Sequence, residues 1–197
     1  MNRIITLLML ASCWTSAVQA EVKEAGENGF TVTASVTTTA SPQQAWDAMT
    51  GRVAEWWSGD HSWSGDAANF YIRAELGGCF CERLPGANGQ PDGGVEHLRI
   101  IYIKPGEVIR FDGSLGPFMD MPAQGRMSWV IAPATEGGTG STITFTYRVH
   151  GYMEGGFAGL APIVDGVNSL QLQGLQALLL KPAEIKVDPA PGVGMTE

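Results

Sequence analysis

The feature that most constrains this chain is the apolar stretch near its C-terminus, from about Gly156 to Lys181. Leu160, Ile163, Val164, Val167, Leu170, Gln171, Gly174, Leu175 and Leu178 recur there at steps of three and four. That spacing puts most of the branched side chains on one stripe of a helix. A stripe of this width must be covered, and the alternating segments before it are the only candidate of sufficient size. The expectation is one curved antiparallel sheet wrapped around a C-terminal helix, an α+β arrangement in which imperfect closure leaves a cavity.

The segments upstream fit that plan. Phe30, Val32, Ala34 and Val36 alternate with threonine and serine, the period of a strand with one buried face. Ser41-Pro42-Gln43-Gln44 predicts a helix start, with Ser41 as cap, Pro42 in the first turn and Gln44 at the capping-box position. A second short helix over Arg52 to Trp57 would deliver Trp56 and Trp57 to the core. His61 to Ala68 reads as a loop carrying Trp63. Strands follow over Asn69 to Ala74, Gly78 to Leu84, Val95 to Ile103, Val108 to Gly113, Gly125 to Pro133 and Ser141 to His150, joined by Gly- and Pro-rich turns. Residues 21 to 28 are polar and read as a loose lead-in. Pro182 opens a Pro/Gly-rich tail, 182–197, expected to be disordered.

The N-terminus has the pattern of an export signal over residues 1–20: Arg3, an apolar run Ile4 to Leu10, and Val18-Gln19-Ala20 before Glu21. The expected product is exported, periplasmic or secreted, and soluble, with no membrane-spanning segment. A lipobox-like reading of Leu10 to Cys13, which would anchor the chain through Cys13, is the alternative. Removing residues 1–20 takes away one arginine and no acid, leaving 11 Lys+Arg against 20 Asp+Glu. Such an acidic surface without a basic stripe argues against nucleic acid as a partner.

In order, Ala40-Ser41-Pro42 before Ala45-Trp46, Trp56-Trp57, Gly77-Gly78-Cys79-Phe80, Lys104-Pro105-Gly106 before Val108-Ile109-Arg110-Phe111, and the apolar last helix resemble the bacterial branch named after the activator of the Hsp90 ATPase. That branch lies within the START and Bet v 1-like (SRPBCC) superfamily. The likeness spans roughly Phe30 to Lys181. It implies a helix-grip fold over 29–181, with two short helices after the first strand and a long helix last. Members of the superfamily bind lipids, sterols, hormones and polyketides, or cyclise them, so the resemblance implies a container more than one reaction. A cochaperone role does not suit an exported chain.

Three sets of residues are candidates for chemistry. The first lines the expected cavity: Trp57, Trp63, Phe111, Phe118, Met119, Met121, Trp129 and Tyr147, with Glu82 and Tyr102 as inward polar anchors. A buried Glu82 would need a partner such as Arg110, a water or a ligand. This set predicts a binding protein for a small apolar or amphipathic ligand, with no cofactor and an oligomeric state the sequence leaves open. The alternative is a cyclase- or hydrolase-type enzyme using His61, flanked by Asp60 and Asp66, or Glu82 or Tyr102. The third set is Cys79-Phe80-Cys81. A loop symmetric about Gly89 would set Cys81 opposite His97 and Cys79 opposite Arg99, on the face opposite Phe80, Leu98, Ile100 and Tyr102. Cys79, Cys81 and His97 would then form a thiol-redox or soft-metal patch, unless the cysteines are simply reduced or joined to each other.

Overall fold

The computed structural model describes residues 17–135 and 138–181. Most of the expected export segment, Cys13 and the tail from Pro182 onward lie outside the described residues. Among the described residues eight strands form one antiparallel sheet: β1 (Gln19–Ala25), β2 (Gly29–Thr38), β3 (Phe70–Ile72), β4 (Cys79–Leu84), β5 (Gly93–Lys104), β6 (Val108–Asp112), β7 (Ala123–Pro133) and β8 (Ser141–Gly151). Their order across the sheet is β1-β2-β8-β7-β6-β5-β4-β3. Helix α1 (Pro42–Gly51) follows β2, and the long helix α2 (Ala161–Leu180) ends the described fold. This is the expected helix-grip arrangement.

The inner face is the one that alternation predicts. Phe30, Val32, Ala34 and Val36 of β2, Met127, Trp129 and Ile131 of β7, and Ile143, Phe145, Tyr147 and Val149 of β8 are all buried. Helix α1 begins as its cap predicts, because Ser41 Oγ accepts from the Gln44 N–H at 3.3 Å and Gln44 Oε1 accepts from the Ser41 N–H at 2.8 Å. The second short helix is a single 3-10 turn, Val53–Glu55. It buries Trp56, whose Nε1 donates to the Ala48 carbonyl at 3.2 Å.

One expectation fails at the start of the sheet. Residues read as a loose lead-in belong to β1, an edge strand paired with β2 from Gln19 opposite Ser35 to Ala25 opposite Phe30. Its side chains are almost all exposed, so no apolar alternation marked it.

Helix α2 divides into two halves, and the division positions the site. In its C-terminal half Gln171, Leu172, Leu175 and Leu178 are buried. Gln171 Oε1 accepts from the Ser58 N–H at 2.8 Å, tying the helix to the segment after Trp57. The backbones here meet closely: a Cβ on Gly174 would stand 2.2 Å from the Trp56 carbonyl oxygen. In its N-terminal half Val164 and Val167 are only partly covered and Ile163 is exposed. That half of the apolar stripe overhangs a space the sheet does not fill.

Candidate functional site

The space is a cavity of about 540 Å³ between the inner sheet face, the start of α2 and two loops. Leu160, Ile163, Val164, Val167 and Asn168 form the helical wall, and His97 and Tyr147 the sheet wall. Trp57, His61, Ser62 and Trp63 close one side, and the 3-10 turn Gly116–Asp120 with Leu115 closes the other. Its size falls within the range of small-molecule sites, and its wall is mostly apolar.

One polar residue of the wall, His97, is placed there by an irregularity in the β4–β5 hairpin. Cys79 pairs with Arg99 and Phe80 with Leu98, but the register then shifts, so that Cys81 faces Glu96 and Glu82 faces Val95. His97 is the extra residue of this bulge. It therefore turns to the same side as Leu98, and is 4% exposed. Its ring stacks on Phe80 at 5.2 Å between centroids and lies 5.4 Å from Phe70. Gly113 across the strand permits the bulge, because its φ of 142° is unfavourable for other residues and a Cβ there would stand 2.7 Å from the His97 carbonyl oxygen.

Behind His97 stands Glu82, 1% exposed, with Oε2 at 2.9 Å from His97 Nε2. The same carboxylate accepts from the Trp63 N–H at 3.0 Å and the Ser64 N–H at 2.6 Å. Burial by itself would raise the Glu82 pKa, but the hydrogen bonds from Ser64, Trp63 and His97 together outweigh it and hold the carboxyl below its ordinary value. Burial also pushes the His97 pKa down, and the attraction of Glu82 offsets this only in part. At neutral pH the pair is a carboxylate beside a neutral imidazole. Tyr147, opposite, accepts from the Leu115 N–H at 3.0 Å. Burial raises its pKa to about 12, so it stays a phenol.

Of the residues expected to line a cavity, Trp57, Trp63, Phe118 and Tyr147 do so. Phe111 and Trp129 are instead fully buried in the core, meeting each other edge to face, with Trp129 stacked on Phe145. Met121 packs against the core edge, and Met119 borders an adjoining depression of about 220 Å³ beside Glu96, Arg99 and Asp112, which shares His97 and Phe118 with the cavity. Glu82 does face inward, but it serves His97 and the Trp63–Ser64 backbone, and Arg110 is not its partner. Tyr102 does not face inward. A second register shift, between Ile100 and Tyr102, turns Tyr102 outward, 44% exposed, beneath the Arg110 guanidinium at 4.8 Å. His61 lines the cavity mouth, as expected for a loop histidine there. His97 and Asn168 were not expected in the lining.

The thiol patch is also rearranged. Cys79 and Cys81 are joined to each other by a disulfide, and both are buried. The bulge removes His97 from their side and puts Glu96 opposite Cys81, so the group that gathers there is Cys79, Cys81 and Glu96, with ligand atoms within 4.8 Å. Joined sulfurs are not thiolates, and a soft metal would require their reduction first.

Comparison with solved structures agrees with this architecture. A truncated norcoclaurine synthase from Thalictrum flavum superposes with a TM-score of 0.53 at 10% identity, covering 82% of this chain and 99% of that one. The solution structure of CalU16 from Micromonospora echinospora gives 0.51 at 13% identity, over 87% and 78% of the two chains. Mll3558 from Rhizobium loti gives 0.50 at 21% identity, over 82% and 98%. These are Bet v 1/SRPBCC-type folds, and at such identities the likeness shows the fold alone. No family model and no curated protein sequence matches the chain. Among the described residues, no helix is long and apolar enough to cross a membrane.

Proposed function

We propose that this protein is an exported binding protein that holds one small hydrophobic or amphipathic molecule between its sheet and the N-terminal half of α2. The observation that carries this reading is the apolar cavity of about 540 Å³, beside which Val164 and Val167 remain only partly covered. Apolar side chains covered only in part on a core-facing stripe leave hydrophobic free energy to be gained, about 25 cal/mol for each Å² a guest would cover. The export pattern at residues 1–20 and the ordered motifs of the activator-of-Hsp90-ATPase branch support the exported, container-type reading. Native mass spectrometry of the purified protein, with solvent extraction of the same sample, tests it. The expected result is a bound mass below about 500 Da that denaturation releases. Protein that is free of any guest and also fails to take up apolar molecules added to it contradicts the reading.

A second reading, an enzyme of the cyclase or hydrolase type in the same cavity, is favoured by one observation, the Glu82–His97 pair. A carboxylate that orients a neutral imidazole toward a cavity is the arrangement of a general base. It predicts turnover of a bound guest that disappears in His97→Gln while binding persists.

A further inference from the structure

His97 constrains the chemistry of the guest. The ionised Glu82 carboxylate can only accept, so the 2.9 Å contact requires the ring proton to sit on His97 Nε2. A neutral imidazole then carries its lone pair on Nδ1. Among the described residues no group donates to that nitrogen, while Phe80 and Phe70 pack around the ring and hold it in place. His97 also lines the cavity, together with Trp57, Phe118 and Tyr147. A hydrocarbon laid over an acceptor of this kind would strip its water and return nothing. Resting on the binding function proposed above, the geometry points to a guest with an apolar body and one O–H or N–H that donates to His97 Nδ1. Glu82 is the positioning residue, because it fixes which nitrogen is the acceptor.

Tyr147 extends the match. Its oxygen is engaged by the Leu115 N–H, and its own proton has no acceptor among the described residues. The sheet wall thus offers one acceptor on β5 and one donor on β8, as a hydroxyl-bearing guest can use and an alkyl chain cannot.

The test compares 2-naphthol with 2-methoxynaphthalene, each titrated at pH 8 against the full protein carrying a neutral fluorescent dye, N-phenyl-1-naphthylamine, in the cavity. The added methyl favours the ether by about fourfold from hydrophobic transfer alone. The expected result is nevertheless that naphthol displaces the dye at a concentration about tenfold to a hundredfold lower. In His97→Phe the preference should vanish. In wild-type protein with ¹⁵N-labelled histidine, the His97 Nδ1 resonance should move when naphthol is added and stay still with the ether, a readout that needs no variant to fold. Naphthol displacing the dye no better than its ether, or a preference that persists in His97→Phe or leaves Nδ1 unmoved, overturns the inference. Failure of the dye itself to bind would instead strike the binding function on which the inference rests.

Discussion

Replacing Glu82 by glutamine keeps the shape of the side chain and removes one acceptor. The carboxylate receives three N–H groups on two oxygens: Ser64 on Oε1, and Trp63 with His97 on Oε2. A glutamine retains one oxygen. Its best orientation leaves that oxygen to Trp63 and His97 and points its NH₂ at the Ser64 N–H, so two buried donors face each other. An unsatisfied buried group costs about 1–3 kcal/mol, and exchanging charge-assisted for neutral hydrogen bonds costs more. Glu82→Gln should therefore lower stability by about 3 kcal/mol at pH 8, or about 6–12 °C in Tm for a domain of this size. The pH dependence gives the sign. Because the folded Glu82 pKa lies below the ordinary 4.5, its contribution is complete above about pH 4.5 and is lost as pH falls through the lower folded value. Urea unfolding of both proteins at pH 8 and at steps below pH 4.5 measures this. A variant within about 0.5 kcal/mol of wild type at pH 8, or a wild-type advantage that grows on acidification below 4.5, would refute the reasoning.

Gly174→Ala places a methyl against the Trp56 carbonyl oxygen, which cannot swing aside as a side chain would, and should cost about 1–3 kcal/mol in urea unfolding as α2 lifts from its seat. His97 has a depressed folded pKa, so its unfolded form binds the extra proton first; stability should fall as pH drops from 6.5, and this slope should flatten in His97→Gln between pH 6.5 and 5. Reduction of the Cys79–Cys81 disulfide opens a very short loop and should cost only roughly 1.5 kcal/mol by loop entropy, with dye uptake retained; loss of uptake on reduction would tie the bridge to the cavity.

Most of the fold could be read from periodicity, because where one face of a strand is buried, alternation sets both its existence and its inner residues. This held for β2, β7 and β8, and for the capping box at Ser41. It failed for β1, an edge strand whose mainly exposed side chains carry no burial pattern. The site was less legible, and for one physical reason. Simple hairpin symmetry assigns His97 and Tyr102 to faces by counting in twos, and each of the two register shifts in β5 turns the following side chains over. One bulge brought His97 inward to Glu82, and the other put Tyr102 outside. Gly113, which leaves room for the first bulge, was the available signal, but it reads equally well as an ordinary turn glycine at the end of β6. Phe111 and Trp129 were correctly placed on the inner face, yet composition cannot separate a side chain that fills a core from one that borders a void.

The central claim is that the space beneath the first half of α2 is open to an apolar guest. Titration of the protein with N-phenyl-1-naphthylamine, beside a Val164→Trp variant whose indole would occupy that space, tests it most directly. Saturable uptake of one dye per chain by the wild type, lost in a variant that unfolds at the same urea concentration, is the expected result. No uptake by the wild type, or undiminished uptake by the filled variant, would contradict the account.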